Sequence, residues 1–113
     1  MKAYLRAAAA ETPPVSSIRI GGTEWSLRGS VSIIELDGGT GMAFQPPPTI
    51  VVLSGSGPVT TVHEIVEAIL LELGLRTEAL HPVIFALSTH LVDVLRQLGV
   101  ELVVELDSDL DKG

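Results

Sequence analysis

Alternating polar and apolar positions in the first half of the chain predict short antiparallel strands. Gly21-Gly22 separates two such segments, and paired glycines supply the positive φ angles that two-residue hairpin turns need. Arg28-Gly29 predicts a second turn and Asp37-Gly38-Gly39 a third. The predicted strands are Ser17–Ile20, Thr23–Leu27, Ser30–Leu36 and, as a short returning strand, Gly41–Phe44.

After Pro46-Pro47-Pro48 the pattern of apolar positions changes. Thr49–Leu53 (TIVVL) is an unbroken apolar run, which is typical of a central strand buried on both faces. Pro58 stands where helices begin. Thr61–Leu73 has apolar residues at every third or fourth position, which predicts an amphipathic helix, and Gly74 predicts its end.

The segment His81–Gly99 fits two interpretations. It can form one long helix, or it can form a strand followed by a shorter helix. We favour the strand at Val83–Leu87 (VIFAL), because these residues are mostly β-branched or aromatic, and Ser88 as the cap of a helix at Thr89–Leu98. Val100–Leu106 predicts the last strand.

These elements predict an α/β fold, in which an N-terminal antiparallel hairpin region leads into a β-α-β-α-β unit and two helices pack on one mixed sheet. The alternative, with one long helix at His81–Gly99, gives an α+β fold. At 113 residues the chain has the size of a single domain. We assign residues 1–14 to a flexible leader outside the core, 15–106 to the domain and 107–113 to an acidic tail.

Charge is distributed unevenly along the chain, whose net charge is −7. Residues 1–56 have four basic and four acidic residues, whereas residues 57–113 have three basic and ten acidic ones. Such a surface repels nucleic acids and anionic membranes, so we expect neither as a partner. The chain has no cysteine, which excludes disulfides and thiolate metal sites and fits a cytoplasmic location.

The apolar content is high for a chain of this size, at 46% of residues with a mean hydropathy of +0.45. Small domains of this kind often cover excess apolar surface by pairing with themselves, so we predict a homo-oligomer. Trp25, the only tryptophan, is the predicted interface residue because tryptophan is enriched at binding hot spots. A core position is the alternative.

The loop between the predicted central strand and the first helix is the leading ligand site. Its small residues allow an anion to approach free backbone N–H groups and the positive end of the helix dipole. The sequence is not G-x-G-x-x-G, because Thr60 stands where the third glycine would be, and it is not a P-loop, because no lysine follows. A phosphorylated or nucleotide-like ligand, or another small anion, would bind at Ser54, Gly55, Ser56 and Gly57; otherwise this is a tight turn.

Three titratable residues cluster on the first predicted helix. His63 and Glu67, at i and i+4, share a face and have the spacing of two metal ligands. A zinc-protease motif needs histidine at position 67, so H-E-x-x-H fails. Nothing in the spacing requires His81 or His90 to join them. We therefore predict no metal and no cofactor, and we assign Glu64 to a capping box with Thr61.

His90 lies close in sequence to Ser88 and Asp93, a combination that suggests nucleophilic catalysis. In a catalytic triad, however, the groups converge from separate elements, and residues on one short helix rarely do so. His63, Glu64 and His90 therefore remain weak catalytic candidates. No residue set in the sequence establishes catalysis, and the sequence favours a binding protein over an enzyme.

The leading functional hypothesis is a small acidic binding or regulatory module. It would act through protein–protein contacts, associate with itself as a homodimer and meet partners with a basic surface. The alternative is a protein or enzyme that handles a small phosphorylated or nucleotide-like molecule at the Ser54–Gly57 loop, with His63 or Glu64 as acid or base.

Overall fold

The computed structural model describes residues 2–7, 15–31, 39–100 and 102–107. In these ranges six strands form one mixed sheet accompanied by two α-helices, which confirms the α/β class. The elements are β1 (Lys2–Ala7), β2 (Ser17–Ile20), β3 (Thr23–Ser30), β4 (Gly41–Phe44), β5 (Thr49–Leu53), α1 (Pro58–Glu72), a 3₁₀ turn (Glu78–Leu80), α2 (His81–Gln97) and β6 (Leu102–Asp107).

The predicted hairpin is confirmed, since β2 and β3 pair antiparallel across Gly21-Gly22, whose φ angles are 57° and 86°. The predicted turn at Arg28-Gly29 is wrong. β3 continues through it to Ser30 because β5 pairs with β3 on one edge as far as that residue. Of the predicted strand Ser30–Leu36, the structure describes only Ser30 and Val31, at the end of β3 and in a bend.

The strand order is β4-β5-β3-β1-β6, and β2 pairs with the first half of β3. β3 and β5 are parallel, and the other paired strands are antiparallel. The prediction of Thr49–Leu53 as an internal strand is confirmed, with four of its five residues buried. Gly41–Phe44 is also a strand, with the predicted bounds.

The first strand corrects the expectation of a flexible leader outside the core. β1 lies between β3 and β6 and pairs with β6 along its whole length. Ala3 and Leu5 are buried in the main hydrophobic cluster, at the two-residue spacing that places side chains on one face of a strand. The leader assignment is therefore wrong for Lys2–Ala7; residues 8–14, and the tail residues 108–113, lie outside the described residues.

The segment from His81 to Gln97 is a single helix, so the favoured strand at Val83–Leu87 is wrong and the order after β4 is β-α-α-β. Ser88, the expected cap, lies inside α2 and donates its hydroxyl to the Ile84 carbonyl at 2.6 Å. A serine that bonds the carbonyl four residues back is satisfied within a helix. Pro82 lies in the first turn, where its missing N–H leaves no bond unmade.

The two helices form successive layers outside the sheet. α1 packs on the sheet through residues that include Ala68, which joins the core cluster, whereas the main contact of α2 is with α1. The buried residues of α2 are Ile84, Ser88 and Val92, which lie four residues apart along one narrow face. The core cluster consists of Ala3, Leu5, Trp25, Leu27, Ile50, Val52 and Ala68.

Candidate functional site

Two histidines and a glutamate meet where α2 begins beside the middle of α1. His63 and Glu67 share one face of α1, as their spacing predicted. After α1 ends, residues 73–80 return along it, so that Thr77 donates its hydroxyl to Glu67 Oε1 at 3.0 Å in a buried hydrogen bond. His81, the first residue of α2, then lies beside both side chains.

The imidazole rings of His63 and His81 both lie close to the Glu67 carboxylate. His63 Nε2 lies 3.8 Å from Glu67 Oε2, and His81 Nε2 lies 3.6 Å from Glu67 Oε1. The rings of His63 and His81 are stacked, with their centroids 5.5 Å apart and their planes at 21°. One possible ligand atom from each of the three residues lies within 4.8 Å of the other two.

Glu64 is buried beside this cluster, with 4% of its surface exposed. Burial raises the pKa of Glu64 from 4.5 to about 9, and the nearby Glu67 carboxylate and a hydrogen bond between the two side chains contribute to this rise. Glu64 Oε1 has no hydrogen-bond partner among the described residues. The Glu64 carboxyl is therefore neutral at pH 7, and one of its oxygens lacks a donor.

Burial also shifts the pKa of His63, in the opposite direction. Loss of water around the ring lowers the pKa below 6.5, the Glu67 carboxylate opposes this change, and the neighbouring His81 lowers it further. A neutral imidazole is the form that binds metals and accepts protons. The cluster thus holds less charge than its composition suggests.

Gly41 on β4 makes room for the Glu64 side chain. A Cβ atom at position 41 would lie 2.8 Å from both Glu64 Cγ and Glu64 Oε2 and 3.0 Å from the Val51 carbonyl oxygen. Spacing along the sequence does not reveal this role, although glycine within a strand often marks a close approach. A cleft of about 270 Å³ opens here, lined by Gly39, Thr40, Gly41, Val59, Thr60, His63, Glu64, His81 and Phe85.

The Ser54–Gly57 loop lies at a separate cleft of about 260 Å³. Gly57 caps α1 with a φ of 88°, and no side-chain cap bond is present among the described residues. The expected capping box is wrong, because Thr61 directs its hydroxyl to the Gly57 carbonyl and Glu64 is buried elsewhere. The other lining residues are Val52, Leu53, Pro58, Thr61, Leu102 and Val104, so no basic side chain contributes among the described residues.

His90 is not brought to either cleft. It is exposed on α2 and belongs to neither set of lining residues nor to the His63–Glu67–His81 group. Ser88 is fully buried and bonded to the helix backbone, while Asp93 is exposed. Ser88, His90 and Asp93 therefore form no catalytic arrangement.

Trp25 has no exposed surface and belongs to the core cluster. Its indole Nε1–H donates to Glu72 Oε1 at 3.1 Å, which ties β3 to the end of α1. A side chain that has no exposed surface cannot contact a partner protein. The expectation of Trp25 as an interface residue is therefore wrong, and the alternative core position is correct.

A different apolar surface is open on α2. Helical periodicity places five large apolar residues on one stripe, next to the face that contacts α1. We call these residues the α2 stripe: Val83 (62% exposed), Leu87 (47%), Leu91 (36%), Val94 (50%) and Leu98 (72%). By length and composition alone, Glu78–Gln97 also meets the minimum for a membrane span. One helix of this kind is weak evidence that a chain crosses a membrane.

No model of a known protein family, no curated protein and no solved structure matches the chain. Functional inference therefore rests on the three features described above: the histidine–glutamate cluster, the loop cleft and the α2 stripe.

Proposed function

We propose that this protein is a binding module that associates with itself as a homodimer through the α2 stripe. The observation that supports this most strongly is the exposure of five large apolar residues in one continuous row. Exposed apolar areas of this kind mark interaction sites in soluble proteins. The contact surface lies on the outermost layer of the fold, where nothing in the described part of the chain covers it.

The spacing of the stripe favours a helix as the partner element. Its residues follow one another at steps of four, four, three and four, which is the spacing that places side chains into the gaps of a facing helix. None of the five is charged, so the overall charge of −7 does not place like charges at the contact itself. A second copy of α2 offers a surface of the same chemistry, and two-fold dimers are the commonest oligomers.

The apolar area is large enough to support such a dimer. Fully covering one large apolar side chain contributes about 1.5–3 kcal/mol. Each stripe residue is on average half exposed, so it retains roughly 1 kcal/mol to gain, and the two copies together gain about 10 kcal/mol. Association costs about 4–15 kcal/mol in lost freedom of motion, so the stripe alone supports at best a weak dimer, with a dissociation constant of roughly tens of micromolar.

Charge substitutions on α2 test this proposal. We expect Leu87→Glu with Val94→Glu to convert the dimer into a monomer in sedimentation experiments, because the contact would bury unpaired carboxylates. The matched control is Ala86→Glu with Thr89→Glu, which adds the same charge to exposed positions of α2 outside the stripe. The control should remain a dimer, and circular dichroism should show the same helix content in all three proteins.

Two results would overturn the proposal. One is an unsubstituted protein that still sediments as a monomer at about 1 mM, well above the expected dissociation constant. The other is loss of the dimer in the control as well as in the stripe variant. Co-sedimentation with neutral lipid vesicles completes the test: a monomer that binds vesicles through the stripe would assign this surface to a membrane instead.

We also propose a partner with a basic surface, and the acidic half of the chain supports this part of the proposal. A pull-down with basic proteins would test it. Two of its ten acidic residues, Glu64 and Glu67, are buried in the cluster and are not available to a partner. The remaining charge is concentrated towards the C-terminus, from position 101 onwards. Electrostatic attraction there would increase the association rate and would weaken with salt.

The loop cleft supports a second candidate function, the binding of a small phosphorylated or nucleotide-like molecule. The favourable observation is a cleft of about 260 Å³ at an α-helix N-terminus whose cap leaves its first N–H groups without a side-chain partner among the described residues. The absence of basic lining residues in the described part ranks it second. Titration with phosphate or adenosine monophosphate should shift the amide NMR signals of residues 55–57, 59 and 60; unchanged signals would exclude it.

A further inference from the structure

We propose that His63, Glu67 and His81 form a binding site for a divalent transition metal, with an open coordination position that faces the cleft beside Glu64. The site is distinct from the α2 stripe. His81 and the stripe lie on the same helix, but the cluster lies against α1, whereas the stripe lies on the neighbouring, exposed face. The two proposals therefore stand or fall separately.

The distances between the side chains are somewhat longer than those of a tetrahedral metal site. Ligand atoms bonded at about 2.1 Å to a tetrahedral zinc ion lie about 3.4 Å from one another. The two histidine–glutamate distances, each to a different oxygen of Glu67, are 3.8 and 3.6 Å, and one ligand atom from each of the three residues lies within 4.8 Å of the other two. Metal binding requires these atoms to move closer together, and His81, with half of its side chain exposed, is the least buried of the three residues.

An orphaned acceptor beside the cluster is a second, independent observation. Glu64 Oε1 is buried, lacks a hydrogen-bond partner among the described residues and belongs to a side chain that lines the same cleft as His63 and His81. Buried polar atoms are almost always paired, and a bound water or ion is one of the explanations for an exception. A water or hydroxyl ligand at the open position would supply the donor that this oxygen lacks.

Thr77 completes the arrangement expected around a metal ligand. Its hydroxyl donates to Glu67 Oε1 from a buried position and thereby fixes the orientation of the carboxylate. Such outer hydrogen bonds orient the ligands of protein metal sites. Thr77 is thus a positioning residue, since it acts through Glu67.

Three protein ligands with one free position are the arrangement of catalytic rather than structural zinc sites. Two histidines and one carboxylate also suit iron(II) and other divalent transition metals. Among the described residues this is the single group of three or more possible metal ligands, so the described part of the chain offers no fourth ligand. The open position would take a small molecule that binds through oxygen or nitrogen.

Metal titration of the tag-free full chain tests the site. We expect one zinc ion per chain in competition with a chromogenic chelator. Cobalt(II) should give the intense visible absorption of a four- or five-coordinate ion rather than the weak bands of the hydrated one. A chain that takes up no stoichiometric metal from either titration would overturn the proposal.

Single substitutions identify the ligands. His63→Ala, Glu67→Gln and His81→Ala should each weaken zinc binding by more than about 100-fold, because loss of even an outer hydrogen bond costs about 10- to 100-fold. Thr77→Val should fall in that lower range and should alter the cobalt spectrum. His90→Ala is the matched control, since it removes the remaining histidine from an exposed position outside the cluster.

Equal loss in His90→Ala, or full binding in His81→Ala, would overturn the proposal. His81→Ala tests the metal site even if the variants of buried residues fold poorly, because position 81 is exposed at the start of α2 and its substitution should not disturb the fold. Circular dichroism of that variant confirms that the helices are retained.

Discussion

Glu64 shows how the fold holds one proton at a defined place. Its carboxyl lies out of water between β4 and α1, and the absence of a side chain at Gly41 leaves the space that it occupies. The nearby Glu67 carboxylate disfavours a second negative charge, so the two side chains share a hydrogen bond with the proton on Glu64. Ionising this group inside the protein is costly, which makes stability depend on pH.

We predict that the free energy of unfolding falls from neutral pH towards pH 9 and that Glu64→Gln removes this fall. The unfolded chain loses the Glu64 proton near pH 4.5, whereas the folded chain keeps it until about pH 9. Between these values the folded state binds the extra proton, so stability decreases by up to about 1.4 kcal/mol for each pH unit. Urea denaturation at several pH values measures this slope.

His63 does not obscure this test. Its pKa is lowered from 6.5, so its contribution increases stability as pH rises towards 6.5 and is constant above that value. Glu78→Gln, at an exposed position, is the matched control and should keep the slope of the unsubstituted protein. A Glu64→Gln protein with that same slope would show that Glu64 is already ionised at neutral pH.

Part of this site follows from the sequence and part does not. Helical spacing is local, so the sequence alone places His63 and Glu67 on one face of α1. His81 reaches them through the return of residues 73–80, a path set by tertiary packing and by the Thr77–Glu67 bond, which no local spacing encodes. The burial of Glu64 depends on a glycine 23 positions earlier on another strand.

At the level of single elements, β1 is the strand that joins β6 to the rest of the sheet. It is the partner of β6 along the whole described length of that strand, and it brings Ala3 and Leu5 into the core. Its sequence, KAYLRA, has the two-residue alternation of a strand. The alternation is only six residues long and stands beside an alanine run, so the sequence pattern alone favours a leader over a strand.

We predict that Leu5→Ala destabilises the protein by about 2–5 kcal/mol, because it leaves a cavity in the core. Leu73→Ala, at an exposed position just after α1, is the matched control and should change stability by less than about 0.5 kcal/mol. Thermal and urea denaturation measure both. Equal stabilities would mean that residues 2–7 lie outside the core in solution.

α2 shows why the intrinsic preferences of residues point to the wrong element. Val83–Leu87 is rich in β-branched and aromatic residues, which favour strands on average. In the fold this segment continues directly from the 3₁₀ turn, and packing of Ile84, Ser88 and Val92 on α1 favours a helix throughout. Tertiary packing outweighs such preferences because they amount to only about 1 kcal/mol over the whole scale.

At the scale of the whole molecule, three layers explain the exposed apolar surface. The sheet is covered by α1, and α1 is covered by α2, but no described element covers α2 on its outer side. A helix with apolar residues on two neighbouring faces fits a position between two layers better than a position at the surface. Self-association, which the high apolar content predicts, stays a prediction, whereas its assignment to Trp25 is wrong because the fold buries that residue.

Native mass spectrometry of the freshly purified, unsubstituted chain tests self-association most directly. We expect a species of twice the 11.9 kDa chain mass that dissociates to the single chain on dilution and on denaturation. A spectrum that shows the single chain alone, at concentrations where a contact of this size would hold, would mean that the chain does not self-associate and would leave the α2 stripe without its proposed partner.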